Sequence, residues 1–180
     1  MSTVRVIGVD PGLTGAAVET FHDDSGVVRI GSIWAWSQPV EIGKKGQPTK
    51  KAIPMMAGGL AGVMDVVQGC LFDLVNVYES TIVRIEETWN ATKSMRTAAS
   101  HGMTAGPWLI MASPLDNYEF MGPDEWRKHY GWSGSLRDRA KELAIAWFTA
   151  QLARQRIACE VTEHVAEAGA VAMMPIPDGE

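Results

Sequence analysis

The feature that most constrains the fold is a short β-branched run near the N-terminus that stops at an acidic turn. Residues 4–9 read VRVIGV, and Asp10, Pro11 and Gly12 follow them directly. β-Branched runs of this length favour strands, and a Pro-Gly dipeptide marks a tight turn. The sequence therefore predicts a first strand that carries a carboxylate at its carboxyl end.

Two further strands and a helix are predicted next along the chain. Residues 15–21 and 27–36 are plausible strands, which together with the first make an antiparallel meander. Residues 37–52 combine prolines, glycines and four lysines and are predicted to form a basic loop. Apolar residues over 53–78 recur with helical spacing. Residues 81–86 then form a fourth predicted strand, which also ends on a carboxylate.

The second half of the chain is predicted to add one strand and several helices. A segment with helix potential, 90–104, leads into a fifth strand at 108–112. A short helix begins at Pro123, and a longer one is predicted to be capped by Ser135. Residues 165–174 are rich in alanine and are predicted to form a final buried helix. This order predicts an α/β domain around a mixed sheet.

Length and composition favour one globular domain that stays inside the cell. With 180 residues, we expect a single domain over 1–174 and a tail over 175–180. No apolar run reaches the ~18 residues that span a bilayer, and the N-terminus lacks the pattern of a secretory signal. Cys70 and Cys159 fit no metal-binding spacing and suggest reduced thiols. We therefore expect a cytoplasmic protein with no membrane partner.

Three acidic positions stand out by their place in the predicted elements. Asp10 ends the first strand and Glu86 ends the fourth. Ligand sites in α/β sheets gather at the carboxyl ends of strands, so adjacent strands would bring these two carboxylates together. Glu167 lies in the alanine-rich last helix, where an unpaired carboxylate is costly to bury. His164 precedes it by one turn on the same helix face.

Together these residues have the chemistry of a metal site. Carboxylates held close to one another repel and remain ionised only beside a cation. Oxygen ligands suit Mg²⁺ or Mn²⁺, and two such ions can activate a water and stabilise the leaving oxygen of a phosphodiester. His164 could be a further ligand or a general base.

Each of these residues also has a purely structural interpretation. Asp10 before Pro11 and Gly12 is good turn chemistry. Glu86 could cap a strand or pair with a surface cation, and His164 could simply begin a helix. Three independent structural explanations would then be needed for one coherent pattern, which favours the metal site.

Three segments resemble the motifs of the RuvC Holliday-junction resolvases. Residues 8–16, GVDPGLTGA, resemble that family's opening motif, and residues 85–87, IEE, resemble its second. Residues 163–172, EHVAEAGAVA, resemble its last motif, in which an acid or histidine stands three positions before an acid. Residues 123–141 resemble the basic segment that precedes the final helices. The likeness spans nearly the whole chain in the family's order.

The resemblance implies an RNase H-like fold, with a five-stranded mixed sheet flanked by helices, and a homodimer. It also implies an endodeoxyribonuclease that nicks Holliday junctions or related branched DNA, using Mg²⁺ (Mn²⁺ as a substitute), with two ions per active site. The seven tryptophans and compact size would suit a phage or prophage member. Matched to the motifs, the catalytic and metal-binding residues are Asp10, Glu86, His164 and Glu167. Glu167 departs from the family's usual aspartate, and its extra methylene shifts a carboxylate by ~1.5 Å.

The charge of the chain is compatible with local contacts to DNA. The formal net charge of −5 argues against coating of nucleic acid by bulk charge, but basic residues cluster in places. Trp89 matches, by the same resemblance, a residue that meets bases near the junction centre. The residues expected to contact DNA are Trp89, Lys44, Lys45, Lys50, Lys51, Lys93, Arg96, Arg127, Lys128, Arg137, Arg139 and Lys141.

Three other functions stay open from the sequence. A branched-DNA-binding protein of the same fold with weak or absent catalysis is suggested by the departure at Glu167. An actin-like phosphotransferase is suggested by the turn after the first strand, but it needs a second domain for which 180 residues leave little room. A nuclease that acts on structured RNA shares the fold and the site chemistry.

Overall fold

A computed structural model describes residues 3–12, 14–37, 63–69, 80–87, 102, 104–110 and 118–176. The strands are β1 (Thr3–Asp10), β2 (Gly15–Asp23), β3 (Val28–Trp36), β4 (Thr81–Glu86) and β5 (Tyr118–Met121). The helices are α1 (residues 63–69), α2 (residues 104–110), α3 (Pro123–His129), α4 (Ala140–Arg154) and α5 (Glu163–Ala172), and a 3₁₀ helix, Gly134–Arg139, precedes α4.

The strands form one mixed sheet in the order β3-β2-β1-β4-β5. β1, β2 and β3 pair antiparallel, as the sequence predicts, whereas β4 runs parallel to β1 and β5 runs parallel to β4. Val9 lies opposite Ile85, so Asp10 and Glu86 end neighbouring strands at the same edge of the sheet. The expected α/β class with a five-stranded mixed sheet is confirmed.

The predicted fifth strand at 108–112 is wrong. Residues 104–110 are helical, and the fifth strand is Tyr118–Met121 at the sheet edge. A short apolar run does not distinguish a strand from a buried helical segment. Trp108 in this run is fully buried, and its ring lies 6.3 Å from that of Trp36. The apolar run therefore packs into the core as part of a helix.

The first residues of the last two helices, α4 and α5, also differ from the expectation. The segment after Ser133 is a 3₁₀ helix, and α4 begins only at Ala140, with no side-chain cap, so the predicted cap at Ser135 is wrong. α5 begins at Glu163, earlier than predicted, because the Thr162 side chain accepts a hydrogen bond from the Val165 amide at 3.3 Å.

Several expectations lie partly or wholly outside the described residues. Of the predicted helix over 53–78, residues 63–69 are described and are helical. The basic loop over 37–52 and most of 90–104 lie outside the described part, as does Cys70. Cys159 is exposed and forms no disulfide with any residue in the described part of the chain. Among the described residues, no helix has both the length and the apolar character that a membrane span requires.

The two faces of the sheet pack against different helices. Ile7 and Val9 face α1 and α2, in a core that includes Trp108. The opposite face packs against α4 and α5. Gly8 lies on this second face, where α5 passes so close that a Cβ on Gly8 would overlap the backbone of Ala168 and lie 2.8 Å from Cα of Ala172. This close approach brings α5 onto the strand that ends at Asp10.

Candidate active site

Four of the predicted site residues come from three elements that converge at one edge of the sheet. Asp10 ends β1, Glu86 ends β4, and His164 and Glu167 lie in the first turns of α5. Side chains of a strand alternate between faces, so Asp10 points to the same face as Gly8, against which α5 packs. Asp10, Glu86 and Glu167 are all buried, with 5%, 2% and 5% of their surface exposed.

Asp10, His164 and Glu167 form a compact group of potential ligands. Each offers one ligand atom, and these atoms all lie within 4.8 Å of one another. Nδ1 of His164 lies 2.6 Å from Oδ2 of Asp10. The spacing of three positions between His164 and Glu167 places both on one face of α5.

The electrostatics of the group reflect several acids held away from water. Burial, followed by the charges of Asp10 and Glu167, raises the pKa of Glu86 to about 8. Burial, followed by the charge of Asp10, raises the pKa of Glu167 to about 7. The hydrogen bond to Asp10 raises the pKa of His164. The protein alone thus favours partial protonation of this site near neutral pH.

The residues fit a divalent cation. Burial is the main cause of the two raised glutamate pKa values, and a cation among the carboxylates would relieve the repulsion that adds to it. Three carboxylates and one imidazole suit Mg²⁺ or Mn²⁺, of which Mn²⁺ accepts the nitrogen ligand more readily. A buried acidic cluster that can hold such an ion is therefore present.

Two basic residues lie beside the acids. A guanidinium nitrogen of Arg127 lies 3.7 Å from Oε1 of Glu167, and the side chain is only 16% exposed. Nζ of Lys141 lies 3.1 Å from Oε2 of Glu163, whose other oxygen lies 3.7 Å from Nε2 of His164. These two cations lie at the border of the acidic group, so the site contains both negative and positive charges.

Trp126 is a site residue that the sequence analysis missed. Its indole Nε1 donates a hydrogen bond to Oε1 of Glu86 at 3.0 Å, and the side chain is fully buried. The contact depends on β5, because α3 follows that strand directly. With the fifth strand predicted at 108–112, nothing in the sequence placed Trp126 beside Glu86.

The residues expected to contact DNA divide into three groups. Arg127 lies beside the acidic group, next to Glu167. Lys128, Arg137 and Arg139 are exposed on α3 and the 3₁₀ helix, and the exposed side chain of Lys141 pairs with Glu163. The remaining residues lie outside the described part of the chain: Trp89, Lys44, Lys45, Lys50, Lys51, Lys93 and Arg96.

The fold and the site together define an RNase H-like α/β protein with acidic residues at the carboxyl ends of its central strands. Solved structures of Holliday junction resolvases share this fold. RuvC of Thermus thermophilus in complex with a Holliday junction substrate is 14% identical, with a TM-score of 0.59, over 96% of this chain and 91% of that chain. A second Thermus thermophilus RuvC structure is 15% identical, with a TM-score of 0.58, over 94% of this chain and 91% of that one.

A resolvase structure from yeast shares the same fold. The yeast mitochondrial Holliday junction resolvase Ydc2 is 12% identical, with a TM-score of 0.52, over 96% of this chain and 78% of that chain. No family model matches the sequence, and no curated protein matches it in sequence. The chain is therefore RuvC-like in fold, and the RNase H-like class expected from the motifs is confirmed.

Proposed function

We propose that the protein is a metal-dependent, structure-selective endodeoxyribonuclease that nicks Holliday junctions or related branched DNA. The observation that carries the proposal is the convergence of Asp10, His164 and Glu167 within 4.8 Å, beside Glu86, on a fold shared with RuvC and Ydc2. The three sequence motifs that resemble the resolvases supply these four residues.

In the proposed reaction, Asp10, Glu86, His164 and Glu167 hold the metal. When bound, one or two Mg²⁺ ions, with Mn²⁺ as a substitute, would activate a water and stabilise the leaving oxygen of the phosphodiester. As the alternative to holding the metal, His164 could accept a proton from the attacking water through a ring nitrogen. The buried walls around Glu86 exclude bulk water, which strengthens the electrostatic interactions inside the site.

Arg127 is suited to the phosphate that is cut. Its Nε is buried and has no hydrogen-bond partner among the described residues, while its guanidinium lies near Glu167. An arginine in that position can bind a phosphate oxygen once the carboxylates are neutralised by a cation. We therefore assign Arg127 to the site and Lys128, Arg137, Arg139 and Lys141 to backbone contacts that position the DNA.

We further propose a homodimer. A four-way junction has two-fold symmetry, and two opposed nicks require two active sites. Sedimentation analysis of the protein, free and on junction DNA, tests this proposal, and a monomer in both states would refute it. Contact of Trp89 with bases near the junction centre remains a prediction from the resemblance alone.

One gel assay tests the function directly. Labelled four-way junction, flap, duplex and structured RNA substrates are incubated with the protein and either Mg²⁺ or EDTA. Paired nicks in the junction that require Mg²⁺ support the proposal. Cleavage of the RNA substrate in preference to all DNA substrates would favour a structured-RNA nuclease instead.

A branched-DNA-binding protein with little catalysis is the second candidate. The observation that favours it is Glu167, whose side chain is one methylene longer than the aspartate usual in the resembling motif. Junction binding without cleavage in Mg²⁺ or Mn²⁺ would support this candidate. Glu167→Asp would then be expected to increase cleavage.

A further inference from the structure

The indole of Trp126 gives the site a neutral hydrogen-bond donor. Asp10 contacts a histidine and Glu167 contacts an arginine, whereas Glu86 accepts from the indole N–H at 3.0 Å. An indole nitrogen only donates, and it carries no charge at any ordinary pH. It therefore fixes one oxygen of the carboxylate without supplying a positive charge that would compete with a cation.

The chain connection holds the indole at this position. Met121, the last residue of β5, lies opposite Glu86, and the amide of Glu87 donates to the Met121 carbonyl at 2.8 Å. Only Gly122 separates β5 from α3, and its amide donates to the Glu125 side chain at 3.1 Å. The helix that carries Trp126 therefore begins beside the strand end that carries Glu86.

Packing fixes the ring as well as the helix. The Trp132 ring meets Trp126 edge-on at 6.1 Å, and the Arg127 guanidinium lies 4.9 Å from the centroid of the Trp126 ring. The indole has no exposed surface. A donor held in this way selects one orientation of the Glu86 carboxylate.

We infer that Trp126 is a positioning residue for the metal site, and that its indole N–H orients Glu86 as a ligand. The inference deepens the proposed function and rests on it, because it takes Glu86 as a metal ligand. With the indole on Oε1, the other oxygen stays available to a cation. Donors that orient a ligand from outside the coordination sphere change metal affinity or activity by about 10–100-fold when they are removed.

Trp126→Phe tests the inference, because it removes the N–H and keeps an aromatic ring. Trp132→Phe is the matched control, since it makes the same chemical change one ring away, at a buried residue of the same cluster. Calorimetric titration with Mn²⁺ in the absence of DNA is expected to show binding at least about tenfold weaker for Trp126→Phe than for Trp132→Phe. In junction cleavage, Trp126→Phe is expected to need more Mg²⁺ and to recover most of its rate at saturating Mg²⁺.

The outcomes separate this inference from the proposed function. Equal Mn²⁺ affinity in the two variants and the wild type would overturn the positioning role and leave the nuclease proposal standing. A wild-type protein that binds Mn²⁺ and cleaves no junction would refute the nuclease proposal, while a loss of Mn²⁺ affinity confined to Trp126→Phe would still support the positioning role.

A second measurement needs no substitution at Trp126 and covers the case in which that variant does not fold. In the nitrogen–proton correlation spectrum of the wild type, the indole proton of Trp126 is expected to exchange slowly with solvent. Its signal is expected to shift when Mg²⁺ is added. In Glu86→Ala, which removes the acceptor, the same signal is expected to move and to exchange faster. An indole signal that is unchanged in Glu86→Ala would contradict the inference.

Discussion

Nδ1 of His164 lies 2.6 Å from Oδ2 of Asp10, and this contact joins the first turn of α5 to the end of β1. It is the largest cause of the raised pKa of His164. A cation at the site would therefore compete with the proton that this pair shares. Loss of the Asp10 charge should weaken both the histidine contact and the cation site.

Asp10→Asn is expected to abolish cleavage while junction binding survives. Asparagine keeps the shape of the side chain but removes a charge that holds the metal. Asp24→Asn, at an exposed turn after β2, is the matched control and should cleave like the wild type. Gel cleavage and gel-shift assays measure the two properties separately, and wild-type cleavage by Asp10→Asn would exclude the assigned metal site.

The stability of the metal-free protein is expected to fall as the pH rises from about 5 to 8. The pKa values of Glu86 and Glu167 are raised from 4.5 to about 8 and about 7. In that window the folded state binds more protons than the unfolded chain, so raising the pH disfavours folding. Thermal unfolding should show the loss in EDTA and its reversal by Mg²⁺.

Glu167→Gln tests which group causes this pH dependence. At pH 8 without metal, the variant should be more stable than the wild type by roughly 1–3 kcal/mol, since the buried charge is gone. It should also lose the stabilisation by Mg²⁺. Glu160→Gln, which changes an exposed glutamate in the same way, should behave like the wild type. Equal stability of Glu167→Gln and the wild type at pH 8 would contradict the assignment.

The sequence was sufficient to predict the strands that carry the site. The β-branched runs before Asp10 and Glu86 are short and end at polar residues, so both strand ends follow from local signals. The spacing of His164 and Glu167 on α5 is equally local. These four residues were expected together for that reason.

The part of the site that the sequence did not predict depends on packing between distant segments. β5 has two exposed aromatic residues, Tyr118 and Phe120, and lacks the buried apolar pattern that marks a central strand. The apolar run near Trp108 resembled a strand more closely, although residues 104–110 form a helix whose Trp108 packs against Trp36. The role of Trp126 follows only once β5 is correctly placed.

Binding to junction DNA is expected to weaken with salt, with a log–log slope of about −0.9 for each neutralised phosphate. The side chain of Arg139 is 66% exposed and is therefore accessible to a phosphate. Arg139→Gln should remove one such contact and reduce the magnitude of the slope by about 0.9. Arg154→Gln, at the opposite end of α4, is the control and should leave the slope unchanged. A flat salt dependence for the wild type would rule out the basic residues proposed to contact the DNA backbone, Lys128, Arg137, Arg139 and Lys141, as the DNA-binding site.

Arg84→Met is expected to destabilise the fold by roughly 2–4 kcal/mol. The buried guanidinium donates to the Met174 and Pro175 carbonyls at 2.5 and 3.0 Å, and its Nε donates to Glu119 at 2.8 Å. It thereby ties the end of α5 to the sheet. Arg29→Met, at an exposed position of β3, serves as the control. Chemical denaturation measures both, and equal stability of the two variants would contradict the tether.

Gly8→Ala is expected to move Asp10 on β1 away from His164 and Glu167 on α5. The new Cβ would overlap the backbone of Ala168 and lie 2.8 Å from Cα of Ala172, and these backbone atoms cannot yield without moving α5. Overpacking of this kind costs roughly 1–3 kcal/mol. Because α5 carries His164 and Glu167, the shift should also weaken Mn²⁺ binding by the folded protein about tenfold or more.

Gly106→Ala is the control for this substitution. Gly106 lies in α2, and a Cβ there would meet none of the described residues within 4 Å, so alanine should be neutral or stabilise the helix by roughly 1 kcal/mol. Mn²⁺ titration well below the unfolding temperature separates loss of fold from loss of site. If Gly8→Ala lowered the melting temperature yet bound Mn²⁺ as tightly as the wild type, the close packing of α5 on β1 would serve stability alone. Weaker Mn²⁺ binding by a fully folded variant would show that this packing also sets the distance between Asp10 and the residues of α5.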